Sequence, residues 1–187
     1  MDASRHATAT PPPNAAPVRI RAATPGDARA LAALMEGIYR EGRWFVGDEG
    51  PTSGLLARRL RGLDPARELM LVAEAGAAPI AWLEAGRYLP RRLAHVATLT
   101  LGVAPEWRGR GVATRLLRAA LPWAQRVGVA KLRLDVRAGN SAARALYEKE
   151  GFVLEGREVG HVRTEGGYED NLLMGRWIGG EAPADGG

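Results

Sequence analysis

One stretch of the chain, residues 101–117, combines the end of a strand, two closely spaced glycines and the start of a helix. Gly109 and Gly111 have no Cβ, so an anion can approach their backbone closely. The helix that follows points its free N–H groups and the positive end of its dipole into the same space. Arg108 and Arg110 add two full positive charges. These features together predict a site for a phosphorylated ligand, most simply a pyrophosphate.

The elements that hold this turn can be predicted from hydrophobic periodicity. Alternating apolar residues predict a strand over 97–103, and the turn follows over 105–111. Helical spacing predicts the next helix over 112–127. Pro122 lies inside that helix and removes a backbone hydrogen bond, so we expect a kink there or a break after Leu121.

The rest of the chain predicts one domain over residues 18–178, in the order β-α-α-β-β-β-α-β-α-β-β. Further strands are expected at 18–21, 68–75, 80–88, 131–136, 152–154 and 169–177, and further helices at 28–40, 53–63 and from 141 to the glycine at 151. The segments 1–17 and 179–187 have little apolar bulk and are expected to be disordered tails.

The composition narrows the functional classes. The chain has no cysteine, which excludes disulfides, a thiolate nucleophile and a cysteine-based metal site. Its three histidines are scattered, so no metal site is expected. We find neither a signal-peptide pattern nor an apolar run long enough to cross a membrane, and we expect a cytoplasmic protein. The net charge is +5, but arginine is abundant throughout, so nucleic-acid binding is not favoured.

A dinucleotide site is one interpretation of the glycine turn. Gly109 and Gly111 follow a strand and open a helix, and Asp135 ends the next strand at a suitable distance for a ribose contact. However, Thr114 stands where the third glycine would be. Too few residues follow Asp135 to complete a doubly wound sheet. A P-loop is excluded because no Gly-Lys-Ser/Thr sequence occurs.

A coenzyme A site is the other interpretation. Arg108-Gly-Arg-Gly111-Val-Ala113 matches the pattern Arg/Gln-x-x-Gly-x-Gly/Ala. A second segment, residues 134–152, carries Leu-Asp-Val-Arg-Ala-Gly-Asn140 and then Ala-Leu-Tyr147 before Gly-Phe. The two segments, at this spacing and in this order of elements, resemble the GNAT superfamily of acyl-CoA-dependent N-acetyltransferases. The resemblance spans residues 18–177 and is nearest to the branch of ribosomal-protein-alanine, amino-acid and phosphinothricin acetyltransferases.

The resemblance implies an α+β sandwich with a mixed, mostly antiparallel central sheet flanked by about four helices. It implies an enzyme that moves an acetyl group from acetyl-CoA to a primary amine by direct attack, without a metal. A homodimer would be in keeping with the family. The positions matching the family's cofactor contacts are Leu101, Val103, Arg108, Gly109, Arg110, Gly111, Val112, Ala113, Thr114, Asn140, Ala143 and Tyr147.

Tyr147 is the residue for which the resemblance implies a catalytic role. A phenol titrates near ~10 and a thiol near ~8.5, so a tyrosine stays protonated at neutral pH and can donate to a departing thiolate. The alternative is a tyrosine that only packs in its helix ahead of Phe152. Asn140, seven residues earlier, favours the catalytic interpretation.

The general base is left open by the sequence. Many relatives carry a glutamate on the fourth strand, and this chain has none there. His95, Thr98 or Thr100 could act through a water, and Glu84 on the neighbouring strand is another candidate. Alternatively, the amine arrives neutral, which is easier for an α-amino group (~8) than for a lysine (~10.4).

The acceptor is expected to enter between three loops, at residues 41–50, 87–92 and 160–168. Trp44, Phe45, Tyr88 and Thr98 are the candidate substrate contacts, although the two residues of the first loop could equally close the edge of the core. These residues do not identify the amine. Two other functions stay open: a catalytically idle acyl-CoA-binding module, and a ribosome- or RNA-associated protein that uses the arginine clusters.

Overall fold

The computed structural model describes residues 17–179, in which seven strands and four helices follow the predicted order. The strands are β1 Val18–Ala22, β2 Glu68–Ala75, β3 Ala78–Arg87, β4 Val96–Val103, β5 Lys131–Arg137, β6 Val153–Thr164 and β7 Gly167–Trp177. The helices are α1 Ala28–Tyr39, α2 Ser53–Arg61, α3 Val112–Arg126 and α4 Ser141–Lys149. Apart from residues 17 and 179, the two predicted tails lie outside the described part of the chain.

All seven strands form one sheet in the order β1-β2-β3-β4-β5-β7-β6. Every neighbouring pair is antiparallel except β4 and β5, which run parallel. α3 is the crossover that connects these two parallel strands. This arrangement confirms the predicted mixed, mostly antiparallel sheet.

Helices cover both faces of the sheet and give the molecule two hydrophobic clusters. On one face, Leu116 of α3 and Tyr147 of α4 pack with Leu83 of the sheet. On the other, Leu31 of α1 and Leu56 of α2 pack with strand residues that include a fully buried tryptophan. The sheet is therefore the middle layer of an α+β sandwich, with α3 and α4 on one side and α1 and α2 on the other.

Of the two expectations at Pro122, a kink or a break after Leu121, the break is wrong, because the helix runs through Pro122 to Arg126. A proline inside a helix costs about 3 kcal/mol or more. Here Ala120 precedes it and Trp123 follows it, and both side chains are buried against the sheet. Tertiary packing on both sides of the proline keeps the two halves of α3 in one helix.

The strand predicted at 152–154 is much longer than the sequence suggests. β6 spans residues 153–164 and forms a hairpin with β7 around a turn at 165–166. Most residues of β6 are exposed, and two register irregularities interrupt its pairing. Because no buried face imposes an apolar alternation on it, the strand carries little of the usual signal.

Candidate active site

The parallel strands β4 and β5 separate after three paired rungs. Pairing begins at Val96–Lys131 and ends at Thr98–Arg133. Beyond that rung, β4 continues to Val103 and β5 to Arg137 without pairing to each other. The separated halves leave a wedge-shaped opening between residues 99–103 and 134–137, here called the β4/β5 gap.

Backbone groups of β4 line this gap. At the two ends of β4 the bonds go to β3: Tyr88 N–H donates to Val96 O over 3.1 Å, and Ala104 N–H donates to Ile80 O over 2.9 Å. In an antiparallel ladder the bonding direction alternates along the strand, so the even-numbered residues of β4 bond to β3. The odd-numbered residues turn their N–H and C=O groups toward the gap. Those residues are Leu99, Leu101 and Val103.

The glycine turn places a run of free donors beside the gap. Gly109 and Gly111 have φ of +71° and +75°, and a Cβ built on either would meet nothing within 4 Å. The first backbone bond of α3 runs from Arg115 N–H to Gly111 O over 3.1 Å. The six N–H groups of residues 109–114, here called the N–H cradle, donate to no acceptor in the described part of the chain. Such a turn at a helix N-terminus suits a pyrophosphate.

The arginines of the turn have different positions. Arg110 lies over the Trp107 ring at 5.3 Å, next to the cradle. Arg108 points elsewhere: its Nε donates to Val103 O over 3.0 Å, and its two terminal nitrogens donate to the Glu41 carboxylate over 2.8 and 2.6 Å. The Arg108 guanidinium thus has protein partners, and its expected role at the phosphates stays a prediction.

Tyr147 lies in the same hydrophobic cluster as Val103 and Val136, which line the two sides of the gap. Its ring is buried and meets Phe152 edge-on, with centroids 5.7 Å apart. Burial raises the pKa of Tyr147 to about 12. The Tyr147 hydroxyl has no hydrogen-bond partner among the described residues. It is not a fully buried atom either, because the indole nitrogen of Trp82 is the one buried side-chain polar atom in this part of the chain that lacks a hydrogen bond. The Tyr147 hydroxyl is therefore accessible at its oxygen and free to donate a hydrogen bond.

Asn140 caps α4. Its side-chain oxygen accepts from Ala143 N–H over 3.1 Å, which satisfies one of the free donors at the helix start. Because the side-chain oxygen is engaged in the cap, the amide nitrogen of Asn140 is the group that could contact a pantetheine arm. Ala143 belongs to the first turn of the same helix, so the two predicted cofactor residues are brought together.

A polar cluster occupies the other face of the sheet at the last paired rung. The Tyr88 hydroxyl accepts from Thr98 Oγ1 over 3.3 Å and from an Arg133 terminal nitrogen over 3.0 Å. The Thr98 bond, with a further contribution from Arg133, lowers the pKa of Tyr88. The predicted substrate contacts Tyr88 and Thr98 are therefore adjacent and lie where the gap begins.

Two of the candidate bases are displaced from the gap. His95 precedes the paired end of β4, where its ring stacks on Trp177 at 6.0 Å and its carbonyl accepts from Lys131 N–H. His95 therefore lies at the paired end of the two strands, outside the gap. Glu84 lies one strand away on β3, opposite Thr100, and accepts from Arg59 over 2.6 Å.

Asp135 is a carboxylate at the gap that the sequence analysis considered only for a ribose. It lies on β5 just beyond the last paired rung, and its side chain is 46% exposed. Arg133 donates to it over 2.9 Å, which places both side chains on the face of the Tyr88 cluster. The sequence indicates this position through its alternation, because Arg133, Asp135 and Arg137 lie on one face of a strand whose other face is apolar.

The α1–α2 loop, residues 40–52, borders the same opening. Phe45 stacks between Tyr39 at 4.7 Å and Trp82 at 5.7 Å, so it closes the edge of the core. Trp44 is half-buried beneath the Arg43 guanidinium, 4.7 Å from the ring centroid. Of the two aromatic residues of this loop proposed as substrate contacts, Phe45 has both ring faces packed, whereas the Trp44 ring contacts only the Arg43 guanidinium among the aromatic and cationic contacts described.

Within residues 17–179, no three His, Asp or Glu side chains are grouped as metal ligands. No helix in this part of the chain is long and apolar enough to cross a membrane.

Comparisons with known proteins agree with this geometry. Residues 32–152 match the model of the Acetyltransferase (GNAT) family. The N-alpha-acetyltransferase RimI of Mycobacterium tuberculosis is 33% identical over 150 residues, which cover 80% of this chain and 87% of that protein.

Among solved structures, a GNAT-family acetyltransferase from Streptococcus pneumoniae has a TM-score of 0.81 at 27% identity, covering 87% of this chain and all of that one. The YncA protein of Salmonella typhimurium, solved with its cofactor acetyl-CoA, has a TM-score of 0.81 at 17% identity, covering 91% of this chain and 99% of that one. The chain belongs to the GNAT family of acetyltransferases.

Proposed function

We propose that this acetyltransferase moves the acetyl group of acetyl-CoA onto an α-amino group, with the N-terminus of a peptide or protein as the acceptor. The observation that carries the proposal is the junction of the N–H cradle (residues 109–114) with the β4/β5 gap, beside the Tyr147 hydroxyl. Acyl transfer from a coenzyme A thioester requires an anion-binding site, a strand edge with free backbone groups and a proton donor.

The cradle would hold the pyrophosphate, with Arg110 adding its charge nearby. The free backbone groups of Leu101 and Val103 would bind the pantetheine amides as a further strand binds a sheet edge. The Val103 carbonyl already accepts from Arg108, so its N–H is the group left for the cofactor. Acetyl-CoA supplies an activated acyl carbon and a thiol leaving group.

Tyr147 would donate its proton to the departing sulfur. Because burial raises its pKa to about 12, it is protonated throughout the neutral range, whereas a thiol titrates near ~8.5. Its open hydroxyl and its place in the cluster beside Val103 and Val136 support this role.

Asp135 would take a proton from the acceptor's ammonium group, directly or through a water, so that the neutral amine can attack the thioester carbonyl. It lies on the face of the sheet opposite α3, α4 and Tyr147, together with the Tyr88 cluster. The amine would therefore approach from the α1–α2 side while the thiol leaves on the α3–α4 side. Acid and base are thus separated by the gap in which the acyl carbon would lie.

Two considerations support an α-amine over a lysine. An α-amino group titrates near ~8 and a lysine near ~10.4. At neutral pH a larger fraction of the α-amine is already neutral, and a carboxylate removes its proton more easily than that of a lysine. The chain is also similar over most of its length to an N-alpha-acetyltransferase. Since the cofactor is a metabolite of the cell interior, we propose a cytoplasmic location, and the homodimer expected from the family stays a prediction.

The test is release of free thiol from acetyl-CoA with three acceptors: an alanine-initiated peptide, the same peptide with a blocked N-terminus and an internal lysine, and free L-alanine. We expect the first to be acetylated with the highest kcat/KM. Activity on the blocked peptide alone would contradict the α-amine. No release with any acceptor, despite acetyl-CoA binding, would favour an idle acyl-CoA-binding module.

A further inference from the structure

The Arg108 guanidinium joins three parts of the site. Its Nε donates to the carbonyl of Val103, the last residue of β4, over 3.0 Å. Its two terminal nitrogens bind both oxygens of Glu41, a residue 67 positions away in the α1–α2 loop, over 2.8 and 2.6 Å. Its own backbone leads directly into Gly109, the first residue of the N–H cradle. The Arg108 side chain thus contacts both the β4 edge of the gap and the α1–α2 loop, and its backbone adjoins the N–H cradle.

The same loop is held from the other side of the gap. Arg137, the last residue of β5, is buried and donates to the Arg43 carbonyl over 2.8 Å. It also pairs with Glu169, whose other oxygen accepts from Gly139 N–H over 2.7 Å. Arg108, which bonds to the last residue of β4, and Arg137, the last residue of β5, therefore each fix one residue of the same loop.

We propose that the Arg108–Glu41 pair is a positioning link through which the occupied N–H cradle orders the α1–α2 loop for the amine acceptor. This inference rests on the proposed function of the cradle as the acetyl-CoA site. Arg108 and Glu41 then act on the acceptor through the loop that carries Trp44.

Geometry and exposure support a role in positioning. The side chains of Arg108 and Glu41 are 36% and 23% exposed, and ion pairs with this much solvent contact add little to global stability. A bidentate guanidinium–carboxylate pair does, however, fix the relative orientation of its two partners. A pyrophosphate bound at residues 109–114 would immobilise the turn and, through this pair, residue 41. Such coupling is reciprocal, so acetyl-CoA and acceptor would each raise the affinity for the other.

Hydrogen exchange with and without acetyl-CoA tests the link without requiring a known acceptor. In the unmodified protein we expect acetyl-CoA to slow amide exchange at residues 109–114 and also at residues 41–48. In Glu41→Ala the protection at 109–114 should remain and that at 41–48 should be lost. Glu49→Ala removes the same charge from an exposed position of the same loop and should retain both.

The outcomes separate the link from the cofactor site. Protection at 109–114 without any change at 41–48 in the unmodified protein would overturn the link and leave the cofactor site standing. Retained protection at 41–48 in Glu41→Ala would overturn it too. Absence of protection at 109–114 would reject the cofactor site itself.

Steady-state kinetics with the alanine-initiated peptide provide a second readout. We expect Glu41→Ala to raise the acceptor KM by about three- to tenfold, a typical allosteric coupling factor, while kcat and the acetyl-CoA Kd stay within about twofold. Glu49→Ala should leave all three unchanged. A loss confined to acetyl-CoA affinity in Glu41→Ala would contradict the link.

Discussion

Thr98 of β4 and Arg133 of β5 form the last paired rung before these strands separate, and both donate to the Tyr88 hydroxyl. The rung marks the point at which the sheet changes from a closed ladder to an opening with free backbone groups. Because side chains alternate along each strand, the rung's polar groups lie on the α1–α2 face and the apolar neighbours face α3. The proposed acceptor side and the proposed cofactor side of the site therefore carry alternate residues of the same strands.

The clearest test of the acid is Tyr147→Phe. Loss of a general acid typically lowers turnover by ~10²- to 10⁴-fold, and we expect kcat to fall within that range with the acetyl-CoA Kd unchanged. Phenylalanine fills the same buried space against Phe152, so the fold should be retained. Tyr168→Phe removes a hydroxyl from a 75% exposed ring in one of the expected acceptor loops, so any effect should fall on the acceptor KM and leave kcat unchanged. Unchanged kcat at saturating acetyl-CoA would remove Tyr147 from the mechanism.

The pH dependence follows from the raised pKa of Tyr147. With that pKa at about 12, the acid is protonated at every pH below about 11, and deprotonation starts to lower kcat only above it. We therefore expect kcat/KM to show no fall on the alkaline side up to about pH 10.5. The measurement is a pH–rate profile with the alanine-initiated peptide. A descending limb centred between pH 8 and 10 would contradict Tyr147 as the acid.

The N–H cradle is tested by Gly111→Val. At φ +75° a β-branched residue is strained, and its Cβ would project into the open space of the cradle. Because a bound pyrophosphate would have to displace the valine side chain or hold it at positive φ, at a cost of ~1–3 kcal/mol, we expect acetyl-CoA binding to weaken about tenfold or more. Calorimetric titration measures the Kd.

Gly128→Val is a matched control for this experiment. Gly128 has φ +73°, has equally open surroundings and lies at the opposite end of α3. It should introduce a similar strain without weakening acetyl-CoA binding. Equal losses of affinity in both variants would attribute the effect of Gly111→Val to the strain on α3 and not to the cradle.

Much of this site could be predicted from local sequence. Gly109 and Gly111 identify the cradle because few residues other than glycine adopt positive φ, and both have positive φ in the structure. The alternation of apolar residues in β4 and β5 fixes which side chains face α3. Asparagine is a residue type that favours helix N-caps, and Asn140 caps α4 in the structure.

What the sequence could not predict depends on contacts between distant segments. Arg108 was assigned to the phosphates because its charge lies beside the glycines, yet its partner Glu41 is 67 positions away. His95 was a candidate base by residue type, but strand pairing places it at the closed end of the gap. Asp135 and Glu84 are both carboxylates on predicted strands, and which of the two strands borders the gap is a tertiary property.

The gap's β4 edge depends on a close contact between Gly102 and Trp82. A Cβ on Gly102 would lie 2.2 Å from the ring of Trp82, which is fully buried. We expect Gly102→Ala to lower the free energy of unfolding by ~1–3 kcal/mol, as overpacked cores do. Gly86→Ala adds the same methyl to the adjacent strand, where nothing lies within 4 Å, and should be nearly neutral. Denaturant unfolding measures both, and equal stability of the two variants would contradict the tight contact.

The identity of the base can be decided by comparing Asp135→Asn with Glu84→Gln. Each substitution replaces a carboxylate by its amide and removes one negative charge next to an arginine, Arg133 or Arg59 respectively. Asp135 lies on a strand that borders the gap, whereas Glu84 lies one strand away. We therefore expect Asp135→Asn to lower kcat/KM for the amine by ~10²-fold or more, and Glu84→Gln to change it little.

The pH dependence of the residual activity separates a base from a structural carboxylate. If Asp135 removes the proton, its asparagine variant should recover activity as the pH rises past the pKa of the acceptor amine, because neutral amine is then supplied by solution. If Asp135 only orients Arg133, the defect should be the same at every pH. A larger loss in Glu84→Gln than in Asp135→Asn would move the base to β3 and place the amine above Thr100, which lies opposite Glu84.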